Sequence, residues 1–160
     1  MSSSILITGS AGMLGRTLVR RLQGRTLYPM SRQDLDITVE KDVSNRLEEL
    51  QPDVVIHCAA MTQVDLCESE KDRAFAVNEQ GSLNIARACQ SVGARLIAIS
   101  TDYVFRGDGE RPYREDDETQ PQSIYGQSKL GGERAVLEHC ENALIARVAW
   151  LYGPDGPSFF

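Results

Sequence analysis

The stretch Ser4-Ile5-Leu6-Ile7-Thr8, followed at once by Gly9-Ser10-Ala11-Gly12-Met13-Leu14-Gly15, decides how this chain folds. The first five residues form an apolar run of strand length. The glycines at 9, 12 and 15 then fall at G-x-x-G-x-x-G spacing, ahead of a helical pattern that reaches about Leu22. Glycine at 9 permits a sharp turn, and at 12 it lets the backbone approach a diphosphate with no Cβ between. At 15 it lets the helix lie close on the strand. The unpaired N–H groups at the helix start face whatever anion the turn admits. Strand, glycine turn and helix in that order predict a dinucleotide-binding unit, with Gly9, Ser10, Gly12 and Gly15 as candidate cofactor-binding residues.

The rest of the chain repeats that grammar outward. Short apolar runs at Thr26–Met30, Val54–Cys58, Arg95–Ser100 and Ala143–Val148 alternate with longer helical patterns. Helices are expected over Val39–Leu50, Asp72–Val92 and Ser123–Cys140. Gly24 and Gly93 stand where helix C-termini favour a left-handed residue. Asp34–Thr38 reads as a turn or a short extended piece, and 101–122 as a loop. On the Asp72–Val92 helix, Ala74, Val77, Gly81, Ile85, Ala88 and Val92 share a face, and Gly81 and Ala88 are small enough to pack closely on a sheet. The fold class this implies is α/β: a doubly wound parallel sheet of Rossmann type with helices on both faces.

Composition excludes several alternatives. The chain has 160 residues, a net charge of −6 and no basic stripe interleaved with aromatics, which argues against nucleic acid as a partner. No apolar run is long enough to cross a membrane, and the N-terminus carries no signal-peptide pattern, so a cytoplasmic protein is expected. Cys58, Cys67, Cys89 and Cys140 show no C-x-x-C spacing, so no metal site is expected and free core thiols fit better. His57 beside Cys58 suggests a dyad, but neighbours on a strand point to opposite faces.

The cofactor can be narrowed from the end of the second strand. A site that prefers NAD places Asp or Glu there, whereas this chain has Met30-Ser31-Arg32. Arg32 can pair with a 2′-phosphate through its forked donors, which favours NADP(H) while leaving NAD(H) usable. Tyr125 and Lys129 stand four apart at the start of a helix and project from one face. Ser100, Thr101 and Asp102 end the preceding strand, where ligands of such sheets bind. Hydride transfer to a carbonyl needs an acid for the oxygen, and a phenol serves if its pKa of about 10 is lowered. One ammonium about 4 Å away supplies an effect of that size at an effective dielectric near 20.

TGSAGMLG, CAAMTQVDLCESE, VNEQGSLNIARA, ISTDYVFRGDGERPYREDD and YGQSKLGGERAVLE together resemble the dTDP-4-dehydrorhamnose reductases, members of the short-chain dehydrogenase/reductase superfamily. The resemblance covers essentially the whole chain. It implies NAD(P)H-dependent reduction of the 4-keto group of dTDP-4-dehydro-L-rhamnose. By position it makes Thr101, Tyr125 and Lys129 the catalytic residues. It adds Met13 and Leu14 to the diphosphate loop, Asp36 and Ile37 at the adenine, and Ala59, Ala60 and Met61 beside the ribose. Val64, Asp102 and Trp150 fall where that family touches the sugar nucleotide, although Trp150 could equally be a core aromatic. Family members continue into a C-terminal region that covers the sugar. Residues 1–150 are therefore expected to be the Rossmann domain and 151–160 the start of that region. A homodimer is a further possibility. Two other readings stay open: a non-catalytic regulatory subunit resembling the methionine adenosyltransferase β subunit, and a nucleotide-sugar epimerase or dehydratase.

Overall fold

A computed structural model describes residues 3–109 and 111–154. Five strands, β1 (Ser4–Thr8), β2 (Thr26–Met30), β3 (Val54–His57), β4 (Arg95–Thr101) and β5 (Ala143–Val148), form one parallel sheet in the order β2-β1-β3-β4-β5. The chain runs from β1 outward to β2 and then crosses back past β1 to β3. The switch point, where ligands of such sheets bind, therefore lies between the carboxyl ends of β1 and β3.

Among the described residues there are six α-helices: α1 (Met13–Arg21), α2 (Glu40–Leu50), α3 (Val64–Ser69), α4 (Lys71–Phe75), α5 (Gly81–Val92) and α6 (Ile124–His139). Alternation along the strands sends Leu6, Val55, Leu96 and Ala98 into one core with Val43 and Leu47 of α2, Ile85 and Cys89 of α5, and Val136 of α6. Helix α1 contributes nothing to that core and contacts β1 and β2, as a right-handed β1-α1-β2 crossover on the opposite face requires. Helices thus occupy both faces, as the sequence predicts.

Several expectations are corrected. The predicted helix Asp72–Val92 is a composite, α4 and α5 joined by a π-helical turn at Ala76–Gln80. Gly81 serves helix-to-loop packing rather than the sheet, because a Cβ there would meet Ile37 Cδ1 at 2.6 Å. Gly93 is left-handed at φ 71° and caps α5, whereas α1 is capped by Leu22 and Gly24 follows it at φ 96°. Asp34–Thr38 takes the first of its two expected forms, turns with no strand. Two short elements were not foreseen: α3, and a 3₁₀ turn at Asp102–Val104. Of the expected C-terminal segment 151–160, residues 155–160 lie outside the described residues.

Candidate active site

The glycine turn closes on the switch point. Gly9 has φ +65°, and a Cβ there would stand 2.7 Å from Ala59 N, so the turn lies directly against the chain leaving β3. A Cβ on Gly15 would run into Gly9 O and come within 2.6 Å of Ser10 Cα, which fixes α1 close over the turn. Gly12 differs: its Cβ would meet only Gly9 O, at 3.3 Å. Gly12 caps α1 with no side-chain hydrogen bond, so the helix start presents its N–H groups to open space. This is the cradle an elongated diphosphate would need, and no side chain fills it.

Two cavities meet at that cradle. One, of about 480 Å³, is lined by Arg32, Asp36, Ile37, Ala59 and Met61; the other, of about 460 Å³, by Ser100, Thr101, Asp102, Tyr125 and Lys129. Gly9, Gly12, Cys58, Ala60 and Thr62 line both, so they form one cleft across the end of the sheet. Met13, Leu14, Gly15, Val64 and Trp150 line the second part. Trp150 is no core aromatic: it is 67% exposed and adopts φ +48°, a strained backbone for so large a side chain. Ser10 is the one cofactor candidate that lines neither cavity. Its N–H donates to Met30 O at 3.0 Å, which ties the turn to β2 and keeps the residue out of the cleft.

Local sequence explains how the reactive side chains are held. Ser123 caps α6 by accepting from Gly126 N–H at 3.1 Å, and Glu68 of α3 accepts from Ile124 N–H at 2.7 Å. The first turn of α6, with Tyr125, is thereby pinned at two backbone donors. The Tyr103 ring meets that of Tyr125 edge-on, centroids 5.5 Å apart. Thr101 ends β4 almost wholly buried, on the same cavity wall as Tyr125. Its hydroxyl donates to Asp102 Oδ1 at 3.1 Å and accepts from Tyr103 N–H at 3.2 Å.

The electrostatics depart from the simple expectation of a cation lowering the phenol. Burial pushes the Tyr125 phenol above its ordinary value, only partly offset by the Thr101 hydroxyl. Lys129 turns its ammonium to Ile99 O at 2.8 Å, and burial lowers its pKa to about 8. The His57–Cys58 dyad is ruled out by burial as well. His57 hydrogen-bonds Thr8 Oγ1 at 2.8 Å and Ser82 Oγ at 3.2 Å, and burial lowers it to about 3. Cys58 lies at the cleft with its thiol pushed up to about 12 by burial, too high for a nucleophile. No group of three or more potential metal ligands occurs among the described residues.

Three contributors escape sequence reasoning. Asn78, in the π turn, is buried; its Oδ1 accepts from Met61 N–H at 2.8 Å. Its Nδ2 donates to Met61 O and to Ser128 Oγ, each at 3.0 Å. It holds the turn after β3 to α6, and only the buried clamp itself reveals it. Arg73 lines the Arg32 end of the cleft as a second cation. Thr62 lines both cavities, and the run CAAMT at the end of a buried strand could have flagged it.

A parallel sheet with a glycine turn at its switch point, and Thr101, Tyr125 and Lys129 gathered at one end of the cleft, defines a nucleotide-binding doubly wound α/β domain. More specifically, the chain belongs to the family described as RmlD substrate binding domain, whose family model matches residues 3–160. It is 50% identical over 157 residues to a dTDP-4-dehydrorhamnose reductase of Streptomyces griseus, covering 96% of this chain and 52% of that protein. It is 48% identical over 163 residues to the reductase of Mycolicibacterium smegmatis, covering 99% and 49%. Among solved structures it superposes on a dTDP-4-dehydrorhamnose reductase of Bacillus anthracis, solved in complex with NADP. That match has a TM-score of 0.97 and 43% identity, covering 99% of this chain and 57% of that one. The resemblance read from the sequence is thus borne out. The chain spans about half the length of the curated relatives it matches.

Proposed function

We propose that this chain forms the cofactor-binding and proton-donating part of an NAD(P)H-dependent reductase that acts on the 4-keto group of a nucleotide sugar, dTDP-4-dehydro-L-rhamnose. The observation that carries the proposal is the single cleft running from Arg32 and Asp36, past the open Gly12 cradle, to Thr101, Tyr125 and Lys129. The relatives named as dTDP-4-dehydrorhamnose reductases, one of them solved with NADP, supply the substrate and favour NADP(H).

Gly9, Gly12, Met13 and Leu14 would hold the diphosphate, and Ala59, Ala60 and Met61 the adjoining ribose. Asp36 and Ile37 would face the adenine, and Arg32 with Arg73 a 2′-phosphate. The reduced nicotinamide, when bound, supplies the hydride. Tyr125 gives its phenolic proton to the carbonyl oxygen, and Thr101 holds that oxygen by a hydrogen bond. The raised pKa of Tyr125 keeps the phenol protonated at neutral pH, and the Lys129 ammonium would favour the phenolate left behind only on turning from Ile99 O towards it. Lys129 also orients the nicotinamide ribose. Val64, Asp102 and Trp150 lie on the same wall and would meet the sugar nucleotide.

No helix among the described residues is long and apolar enough to cross a membrane. The four free thiols suit a reducing, cytoplasmic setting. A homodimer is the proposed assembly, to be tested by sedimentation. The decisive experiment is Tyr125→Phe. NADPH oxidation with the 4-keto sugar nucleotide should fall by roughly 10²- to 10⁴-fold while cofactor affinity is retained. Unchanged turnover would remove the acid role.

A further inference from the structure

A buried carboxylate behind the cleft has no part in the chemistry above. Glu133 follows Lys129 by one turn on the same face of α6, and the two are 4% and 6% exposed. Its oxygens accept from Arg147 Nε at 2.9 Å and Nη2 at 2.7 Å, a forked pair reaching over from β5. Lys129 and Glu133 line one small cavity of about 10 Å³ between α6 and the sheet, together with His57, Ser82 and Ser100. Ser100 Oγ is buried there with no hydrogen-bond partner among the described residues. Arg147 does more than pair: its guanidinium lies 4.9 Å over the Phe105 ring, and Nη1 donates to Glu115 O at 3.1 Å.

Holding the fold together does not require charges at this place, since apolar side chains of similar volume would serve about as well as a buried ion pair. Lys129 does require one. Its ammonium is buried with a neutral carbonyl, Ile99 O, as its hydrogen-bond acceptor. The other ionisable groups near it cannot take that part. His57 of β3 and Cys58 just after it stay neutral, as does Tyr125 on α6, and Asp102 of the 3₁₀ turn accepts from Thr101. Glu68 of α3 caps the start of α6, and Glu79 of the π turn meets α6 at Gly131, off the Lys129 face. Arg147 of β5 is itself cationic.

The geometry points to Glu133 as a positioning residue whose carboxylate, partly balanced by Arg147, keeps the Lys129 ammonium charged in its buried place beside the cleft. The reductase reading says what that ammonium is for, but the coupling stands apart from it. Among the influences on Lys129, Glu133 is the largest that opposes burial.

Lys41, Lys71 and Lys129 are the chain's three lysines, so ¹³C-labelled lysine side chains give a simple spectrum in which Lys129 can be titrated by NMR in the cofactor-free chain. Lys129→Arg identifies its resonance. Glu133→Gln should move the Lys129 midpoint down by about one pH unit or more, because a negative charge is lost and Arg147 is left unbalanced. Arg147→Gln should move it up, and the double variant should fall between. If Glu133→Gln does not fold, Arg147→Gln is compared with the double variant, which removes both charges and keeps both shapes. Shifts in the same direction for the two single variants, or midpoints within about 0.3 units across the foldable set, would overturn the assignment. NADPH titration of the unsubstituted chain separates the two ideas: absence of binding would sink the reductase reading and leave the lysine shifts standing.

Discussion

Replacing Gly12 by alanine should divide the turn's part in binding from its part in folding. Gly12 has φ −75° and ψ 168°, extended values any residue adopts, and the added Cβ meets only Gly9 O at 3.3 Å. The fold should lose no more than the few tenths to about 1 kcal/mol of a glycine-to-alanine cap change. In a domain of this size that is a Tm drop of roughly 2–4 °C. Gly15→Ala is the contrast, since its Cβ collides with the Gly9 and Ser10 backbone, which cannot swing away. About 1–3 kcal/mol of destabilisation is expected there. Binding reverses the order at Gly12, where a methyl enters the shared wall of both cavities. Overpacking of about 1–3 kcal/mol against a bound diphosphate corresponds to roughly 5- to 150-fold in Kd. Thermal unfolding and NADPH titration of the two variants read both effects. Gly12→Ala binding NADPH within about twofold of the parent would refute a diphosphate over that glycine.

Arg32→Ala should weaken NADPH by about tenfold and NADH much less, since a charge-assisted bond to a 2′-phosphate is at stake; equal losses in parallel titrations would contradict that contact. His57 carries the acid sensitivity. With its folded pKa depressed to about 3 from 6.5, the unfolded chain binds the extra proton between those values. Its contribution is therefore intact above pH 6.5 and is lost progressively as the pH falls toward 3, by up to roughly 4–5 kcal/mol. Denaturant titrations of the chain and of His57→Gln across that range should converge toward acid, and parallel curves would show that His57 is not buried neutral.

The glycine turn, the five strands and the Tyr125/Lys129 helix were legible because each rests on local chemistry: glycine where a Cβ collides, β-branched runs, and a serine cap three residues ahead of the Gly126 N–H. What was hidden depends on distant partners. Helix α3 is six residues long with only Cys67 buried, too short to show a period. The π turn carries no pattern of its own and exists to aim Asn78 at Met61 and Ser128, across the sheet's end. Ser10 looked like the rest of the glycine loop, and its backbone bond to β2 is a tertiary fact. The same holds for the electrostatics, because whether a cation lowers a phenol depends on where the ammonium finds its acceptor, here Ile99 O.

Trp150 is the chain's single tryptophan and lines the Tyr125 end of the cleft, so energy transfer from its indole to NADPH reports directly whether the nicotinamide arrives there. Saturable quenching of Trp150 with matching sensitised NADPH emission, weakened in Gly12→Ala, is the predicted result. No saturable transfer, or transfer unaffected by Gly12→Ala, would contradict a cofactor laid from the glycine turn to Tyr125.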